Sequence, residues 1–335
     1  MMKITKKEWG AMPDGRAIDL YTIENAKGSS VSVTTYGGII TSIRVPDAAG
    51  QLGDVVLGYD TAAEYLADNA FLGAMIGRYA NRIRAGQFTL GGETFHLTVN
   101  NRGNTLHGGG GFHKKLWDAE ARADGFHLFL VSPDGEDGFP GTLRTEIVCS
   151  LSDGDELTLD MRAVSDKDTV CCLTNHTYFN LAGGGTVASH RFQIRADAYT
   201  PFDEAHLPRG TVCTVSNTPY DFRALRPLKE QVLDINFVVT DGAPCAVAEN
   251  PISGRTLSVY SDLPALGFYT AGSLSPRRGR DGAQYGPCSG FCLEPQFYPD
   301  SPNNPQFPSC VLRAGEEYRH FIRYRFSADG GGRTE

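Results

Sequence analysis

Five stretches of this 335-residue chain set proton-handling or hydrogen-bonding side chains among apolar neighbours. The first is CLTNHTYFNL at 172–181, read as a β-strand. Side chains alternate faces along a strand, so His176 shares a face with Cys172, Thr174, Tyr178 and Asn180, opposite Leu173, Asn175, Thr177, Phe179 and Leu181. GRYANRI at 77–83 brings Arg78, Asn81 and Arg82 beside Ile76 and Ile83. GNTLHGGGGF at 103–112 puts His107 before four glycines, where backbone can approach a ligand closely. LDINFV at 233–238 inserts Asp234 and Asn236 into an apolar run, and GFCLEPQFYPD at 290–300 carries Glu294 between Leu293 and Pro295. Extended backbone in the last stretch puts Cys292, Glu294 and Gln296 on one face, opposite Phe291, Leu293 and Phe297.

Singly, most of these have a structural explanation: Arg82 pairing a surface carboxylate, His107 capping a turn, Asp234 satisfying backbone amides. Glu294 resists one, because a carboxylate in an aromatic strand is costly unless it is paired. Together the residues make chemical sense. Histidine and glutamate exchange protons near neutral pH, arginine and asparagine grip hydroxyl oxygens, and tyrosine adds a hydroxyl or an aromatic surface. No GxSxG elbow supplies a nucleophile, and no His or Cys grouping has metal-ligand spacing. No P-loop is present, and no GxGxxG follows a strand. The expected chemistry is acid–base catalysis on a neutral, polyhydroxylated substrate, with no cofactor and no metal.

The elements that must position these residues are mostly strands. Gly, Pro, Asn and Asp punctuate the chain throughout, with 39 glycines and 18 prolines. In QFTLGGETFHLTV at 87–99, Gly91-Gly92 between two alternating runs signals a hairpin, since a two-residue primed turn needs positive φ. DELTLDMRAV at 155–164 alternates Leu157, Leu159 and Met161 against polar partners. RFQIRAD, CAVAENPISGRTLSVYSD and EYRHFIRYRF repeat the pattern, and one short helix is predicted at TAAEYLADN, where Thr61 and Glu64 can form a capping box. No βαβ alternation, linker or internal repeat interrupts this, so the fold class is all-β: packed antiparallel sheets in one domain over 1–335.

A net charge of -8 argues against a nucleic-acid binder, and the one dense basic cluster, PRRGR at 276–280, reads as a solvated loop. No stretch has the apolar length of a membrane helix, and the basic N-terminus lacks the h-region of a signal peptide. The eight cysteines form no CxxC pair, which predicts reduced, mostly buried thiols in a cytoplasmic protein.

GRYANRI, NTLHGG, NHTYFNL and GFCLEPQFYPD resemble, in order, the motifs of the aldose 1-epimerases (galactose mutarotases). YGGIITSIRVPD, DVVLGYDTAAEYL, DGEDGFPG and FPSCVLRAGEEY agree, so the likeness runs from about Val31 to Phe326. The resemblance implies a large antiparallel β-sandwich, a supersandwich of the galactose mutarotase type, with an open sugar cleft and no cofactor. It implies interconversion of the α and β anomers of free hexoses such as glucose and galactose. His176 would be the acid on the ring oxygen and Glu294 the base on the C1 hydroxyl. Asn81, Arg82, His107, Tyr178 and Asp234 would bind the sugar. Two positions depart from the family: Ile235 stands where Asp-His-Asn is usual, and Gly267 where close relatives carry a sugar-contacting glutamine. The lost glutamine implies looser discrimination between C4 epimers. The expected partner is a monosaccharide, with no nucleic acid and no membrane, for a monomer or homodimer. Two alternatives are a hexose-6-phosphate mutarotase, with PRRGR serving the phosphate, and a non-catalytic sugar-binding protein of the same fold.

Overall fold

The alternation seen in the sequence becomes three large antiparallel sheets in the computed structural model, which describes residues 2–229, 231–240 and 243–328. The last residues of the expected 1–335 domain, 329–335, lie outside the described residues. An N-terminal meander joins Lys3–Ala11, Ala17–Glu24, Ser30–Thr34, Ile40–Pro46 and Leu52–Asp54. A nine-stranded sheet has Leu143–Leu151, Glu156–Ser165 and Glu317–Ala328 as its middle strands. Within it Cys149, Leu159 and Ile322 stand opposite one another, each fully buried, so the period-2 pattern turns one face inward. The third sheet orders Cys213–Thr214, Ala198–Thr200, Asp234–Val238, Ala265–Tyr269 and Cys292–Gln296.

One apolar cluster runs through all three sheets, from Ile23 and Val33 through Leu128 and Leu159 to Phe268 and Leu293. Each such side chain contributes roughly 1.5 to 3 kcal/mol by leaving water. That shared core holds the third sheet, and the polar residues on its outer face, in place. The Gly91-Gly92 hairpin forms with φ of 61° and 86°, joining Gln87–Leu90 to Glu93–His96. The helix is Ala62–Ala67, closed by the Thr61–Glu64 capping box. All eight cysteines are free thiols, six of them buried. No described helix is long and apolar enough to cross a membrane.

The 172–181 stretch differs from the expected strand. Ladder pairing covers only Thr174–His176, antiparallel to Ala74–Ile76, and the whole stretch is buried on both faces. Asn175 stops it: its Oδ1 accepts from the backbone N–H of Thr177 at 3.2 Å and from that residue's hydroxyl at 2.5 Å. A side chain that captures the amide two residues ahead competes with the ladder and bends the chain.

Candidate active site

Directly opposite residues on antiparallel strands share a face, which fixes the floor of a cleft of about 720 Å³. Asp234, Tyr269 and Cys292 form one rung, and Asn236, Gly267 and Glu294 form the next, on the same face. The rung between, Ile235, Phe268 and Leu293, points the other way into the core. Cys292, Glu294 and Gln296 therefore share a face as the sequence implies. The departure at Ile235 falls on the core side, away from the cleft, so it does not touch a sugar.

Five of the expected residues meet in that cleft with polar groups facing it: His176, Glu294, Arg82, His107 and Asp234, with Asn81 beside them. His176 enters from the Thr174–His176 strand and Glu294 from Cys292–Gln296, with Nε2 and Oε2 3.8 Å apart. Asn81 Oδ1 accepts the backbone N–H of Arg82 at 2.9 Å, and Arg82 Nε donates to Asn101 Oδ1 at 3.4 Å. Among the described residues the Arg82 guanidinium bonds only to the amide oxygens of Asn101 and Asn81, so the surface ion pair that could have explained it is not there. Tyr178 lines the same cleft. Its hydroxyl donates to the Ala70 carbonyl at 2.9 Å, and its ring stacks on His176 at 5.0 Å, so it supports the imidazole.

The glycines after His107 serve the backbone rather than a ligand. A Cβ at Gly108, with φ of 77°, would lie 2.2 Å from the Gly77 carbonyl oxygen. The close approach is between the two loops, and it delivers His107 to the cleft. Arg78 also proves structural: it is buried, and its guanidinium donates to the carbonyls of Ser132, Pro140 and Gly141. Gln296 fills the space beside Gly267, its Nε2 3.2 Å from where a Cβ would sit, and donates to Asn236 Oδ1 at 3.0 Å.

Sequence reasoning missed His206, whose Nδ1 lies 3.2 Å from Asp234 Oδ2 at the cleft rim. It sits in a turn held by Asp203 Oδ1, which accepts from the N–H groups of Ala205 and Leu207. Nothing in DEAHLP distinguishes that histidine from a surface one. Phe71 was missed as well. It stands 4.8 Å from the His107 ring and 5.7 Å from the His176 ring and lines the same cleft.

The protonation of the cleft departs from the protonated His176 and ionised Glu294 that the expected acid and base roles require. Burial pushes His176 down to about 4, with its own backbone carbonyl and Asp234 pulling the other way. Burial, reinforced by Asp234 and opposed by Arg82, pushes Glu294 up to about 8. Two charges in so dry a place cost more than their attraction returns. At pH 7 the pair holds one proton, on Glu294, and both partners are neutral. His107 is held neutral in one tautomer, because its Nδ1 accepts the Asn81 backbone N–H at 3.2 Å and leaves Nε2 as the donor. Burial lowers it well below the ordinary histidine range.

The fold also gathers what the linear spacing hid: ligand atoms of His107, His176 and Glu294 lie within 4.8 Å of one another. By distance a cation could bridge them. His107, however, presents an N–H to that point while the Asn81 amide holds its other nitrogen, so the set offers two ligands and a donor. The residues fit a hydroxylated substrate better than a metal.

A profile of the family described as aldose 1-epimerase matches residues 19–325. The chain belongs to the aldose 1-epimerase family. It is 40% identical over 342 residues to a galactose mutarotase of Mus musculus, across 98% of this chain and 99% of that one. It is 36% identical to an aldose 1-epimerase of Escherichia coli K12, across 95% and 97% of the two chains. The crystal structure of a galactose 1-epimerase from Lactobacillus acidophilus superposes with a TM-score of 0.86 at 28% identity, covering 98% of this chain and all of that one. The fold is that of the galactose mutarotase-like proteins, and the protein is an isomerase that interconverts the anomers of aldoses.

Proposed function

We propose that His176 and Glu294 carry the epimerase reaction, His176 giving a proton to the ring oxygen and Glu294 taking one from the C1 hydroxyl. Ring opening, rotation about C1–C2 and closure on the other face then exchange the anomers. The observation that carries this reading is the geometry of the pair, a histidine nitrogen and a carboxyl oxygen 3.8 Å apart, with Glu294 Oε2 lacking any hydrogen-bond partner among the described residues. A buried carboxyl oxygen without a partner, on a residue that lines the cleft, is a ready acceptor for a hydroxyl. Ring binding requires the proton to move from Glu294 to His176. Burial favours the neutral form of each partner, so that transfer is uphill before substrate enters. Sugar hydroxyls donating to the carboxylate, together with Arg82, offset it. Positioned acid and base groups of this kind each give about 10² to 10⁴-fold.

Arg82, Asn81, Asp234 and the Nε2–H of His107 grip sugar oxygens, and Tyr178 steadies His176 from below. The substrate is a free hexose such as glucose or galactose. The phosphate alternative loses its main support, because Arg277 pairs with Asp68 at 2.5 Å and Arg280 pairs with Asp54. Two of the three arginines in PRRGR are thereby committed within the protein. We infer a cytoplasmic setting from the free thiols and a single functional unit from the shared core. Polarimetry on freshly dissolved glucose and galactose tests the reading: catalysed decay of optical rotation is expected. A decay at the uncatalysed rate would leave a sugar-binding protein instead.

A further inference from the structure

We propose that Cys292 is the positioning residue for His176, its sulfur accepting the Nδ1–H and so turning Nε2 toward Glu294 and the substrate. This rests on the reading of His176 as the ring-oxygen acid. The Cys292 sulfur lies 3.5 Å from His176 Nδ1, and both side chains are buried. The imidazole is already confined in its plane, stacked on Tyr178 at 5.0 Å and met edge-on by His107 at 5.2 Å. That packing leaves one freedom, a flip of the ring by half a turn, which would exchange Nε2 for carbon at the cleft. Stacking contacts scarcely distinguish the two faces. A hydrogen bond on Nδ1 does.

The direction of that bond follows from the proposed role of His176: Nε2 is the nitrogen 3.8 Å from Glu294 Oε2, and it must carry the mobile proton. In the neutral imidazole Nδ1 then holds the hydrogen and the sulfur accepts, leaving the Nε2 lone pair to take and return that proton. Cys292 and Glu294 lie two residues apart on one face of the same strand, about 7 Å along it. One strand thus carries the base and anchors the acid, which fixes their separation against motion of the surrounding loops.

A thiol also suits the charge of the site. Burial raises the Cys292 thiol well above its usual range, so the sulfur is neutral. A carboxylate at that position would hold the imidazole as a cation and bring a second charge into the cleft. The sulfur orients without doing so.

The test compares Cys292→Ala and Cys292→Ser with the native enzyme, reading the His176 tautomer by ¹⁵N NMR of histidine-labelled protein and the kinetics by polarimetry. The native spectrum should show hydrogen on Nδ1. Cys292→Ala should give a mixture of tautomers and a kcat lowered about tenfold with KM within twofold, the low end for a lost orienting partner. Cys292→Ser keeps an acceptor of similar size and should restore most of both. Unchanged kcat and an unchanged tautomer in Cys292→Ala would overturn the proposal, as would a raised KM with kcat intact. Should His176→Asn retain full kcat, the acid assignment itself fails. The NMR comparison then still decides whether the sulfur sets the ring.

Discussion

Glu294→Gln keeps the volume of the side chain and removes only its ability to ionise, so it separates what the cleft costs the fold from what it does for catalysis. Below about 4.5, the ordinary value for the group, folded and unfolded chains both hold the carboxyl proton. As pH rises the unfolded chain releases it, while the folded chain keeps it up to about 8. Stability attached to this group is therefore complete below the unfolded value and is lost as pH climbs to the folded one. The slope is about 1.36 kcal/mol per pH unit, or roughly 5 kcal/mol across the whole interval. That figure is an upper one, because hydration of the cleft relieves part of it. Glutamine loses nothing over the same range. Between pH 5.5 and 8.5 the advantage of Glu294→Gln over the native chain should grow by about 2 to 3 kcal/mol. Urea unfolding at pH 5.5, 7 and 8.5, with an unchanged m-value, measures it. The same variant should lose at least about two orders of magnitude in kcat. A stability difference that is flat with pH would refute the buried, protonated carboxyl, and near-normal turnover would refute its role as base.

Alanine at Arg82 or His107 should lower kcat/KM by about 1.5 to 3 kcal/mol of transition-state binding, the value of a hydrogen bond involving a charged or buried partner. Unchanged kinetics with several aldoses would return both residues to structure. The pH profile of kcat/KM should be flat between about 4 and about 8, because the pair holds one proton throughout that window. It should fall above 8 as Glu294 releases the proton and below 4 as His176 takes a second; a limb near 6.5 would mean that the imidazole titrates as if exposed. Gly267→Gln, meant to restore the lost sugar contact, should instead destabilise by about 1 to 3 kcal/mol through overpacking against Gln296, read as a lower urea midpoint. A gain in selectivity between glucose and galactose at unchanged stability would show that the cleft has room there after all.

The parts of this protein legible in its sequence are those where a local rule decides. Alternation along Glu156–Ser165, the Gly91-Gly92 turn and the Thr61–Glu64 box each depend on a few neighbouring residues, and each forms as read. Glu294 was legible for a different reason: a carboxylate between Leu293 and Pro295 contradicts its surroundings. What could not be read was set by partners distant in sequence. Arg78 and Arg82 lie four residues apart in one motif, yet one guanidinium is spent on carbonyls of the 132–141 loop and the other faces the cleft. Nothing in NHTYFNL shows that the Tyr178 hydroxyl is held by the Ala70 carbonyl, more than a hundred residues away. Ile235 looks like a change of specificity until strand register turns it toward Phe268 and Leu293.

Burial, too, is invisible in a linear sequence, and here it changes the sense of the chemistry. On the proposed roles, a closed sugar ring needs an ionised Glu294 and a protonated His176. Once the ring has opened, Glu294 has gained a proton and His176 has lost one. The resting cleft, with its single proton on Glu294, already stands in that second arrangement. Its protonation is matched to the open-chain aldehyde rather than to either cyclic anomer. Closing on either face returns the pair to the same ionised form, so neither anomer is favoured by the pair itself. The proton lost by the imidazole and the one gained by the carboxyl balance within the site, and no exchange with solvent is needed between opening and closure. Burial of the pair therefore serves an equilibration between two anomers. It raises the cost of the charged arrangement that holds the ring shut and lowers that of the neutral one in which C1 is free to turn.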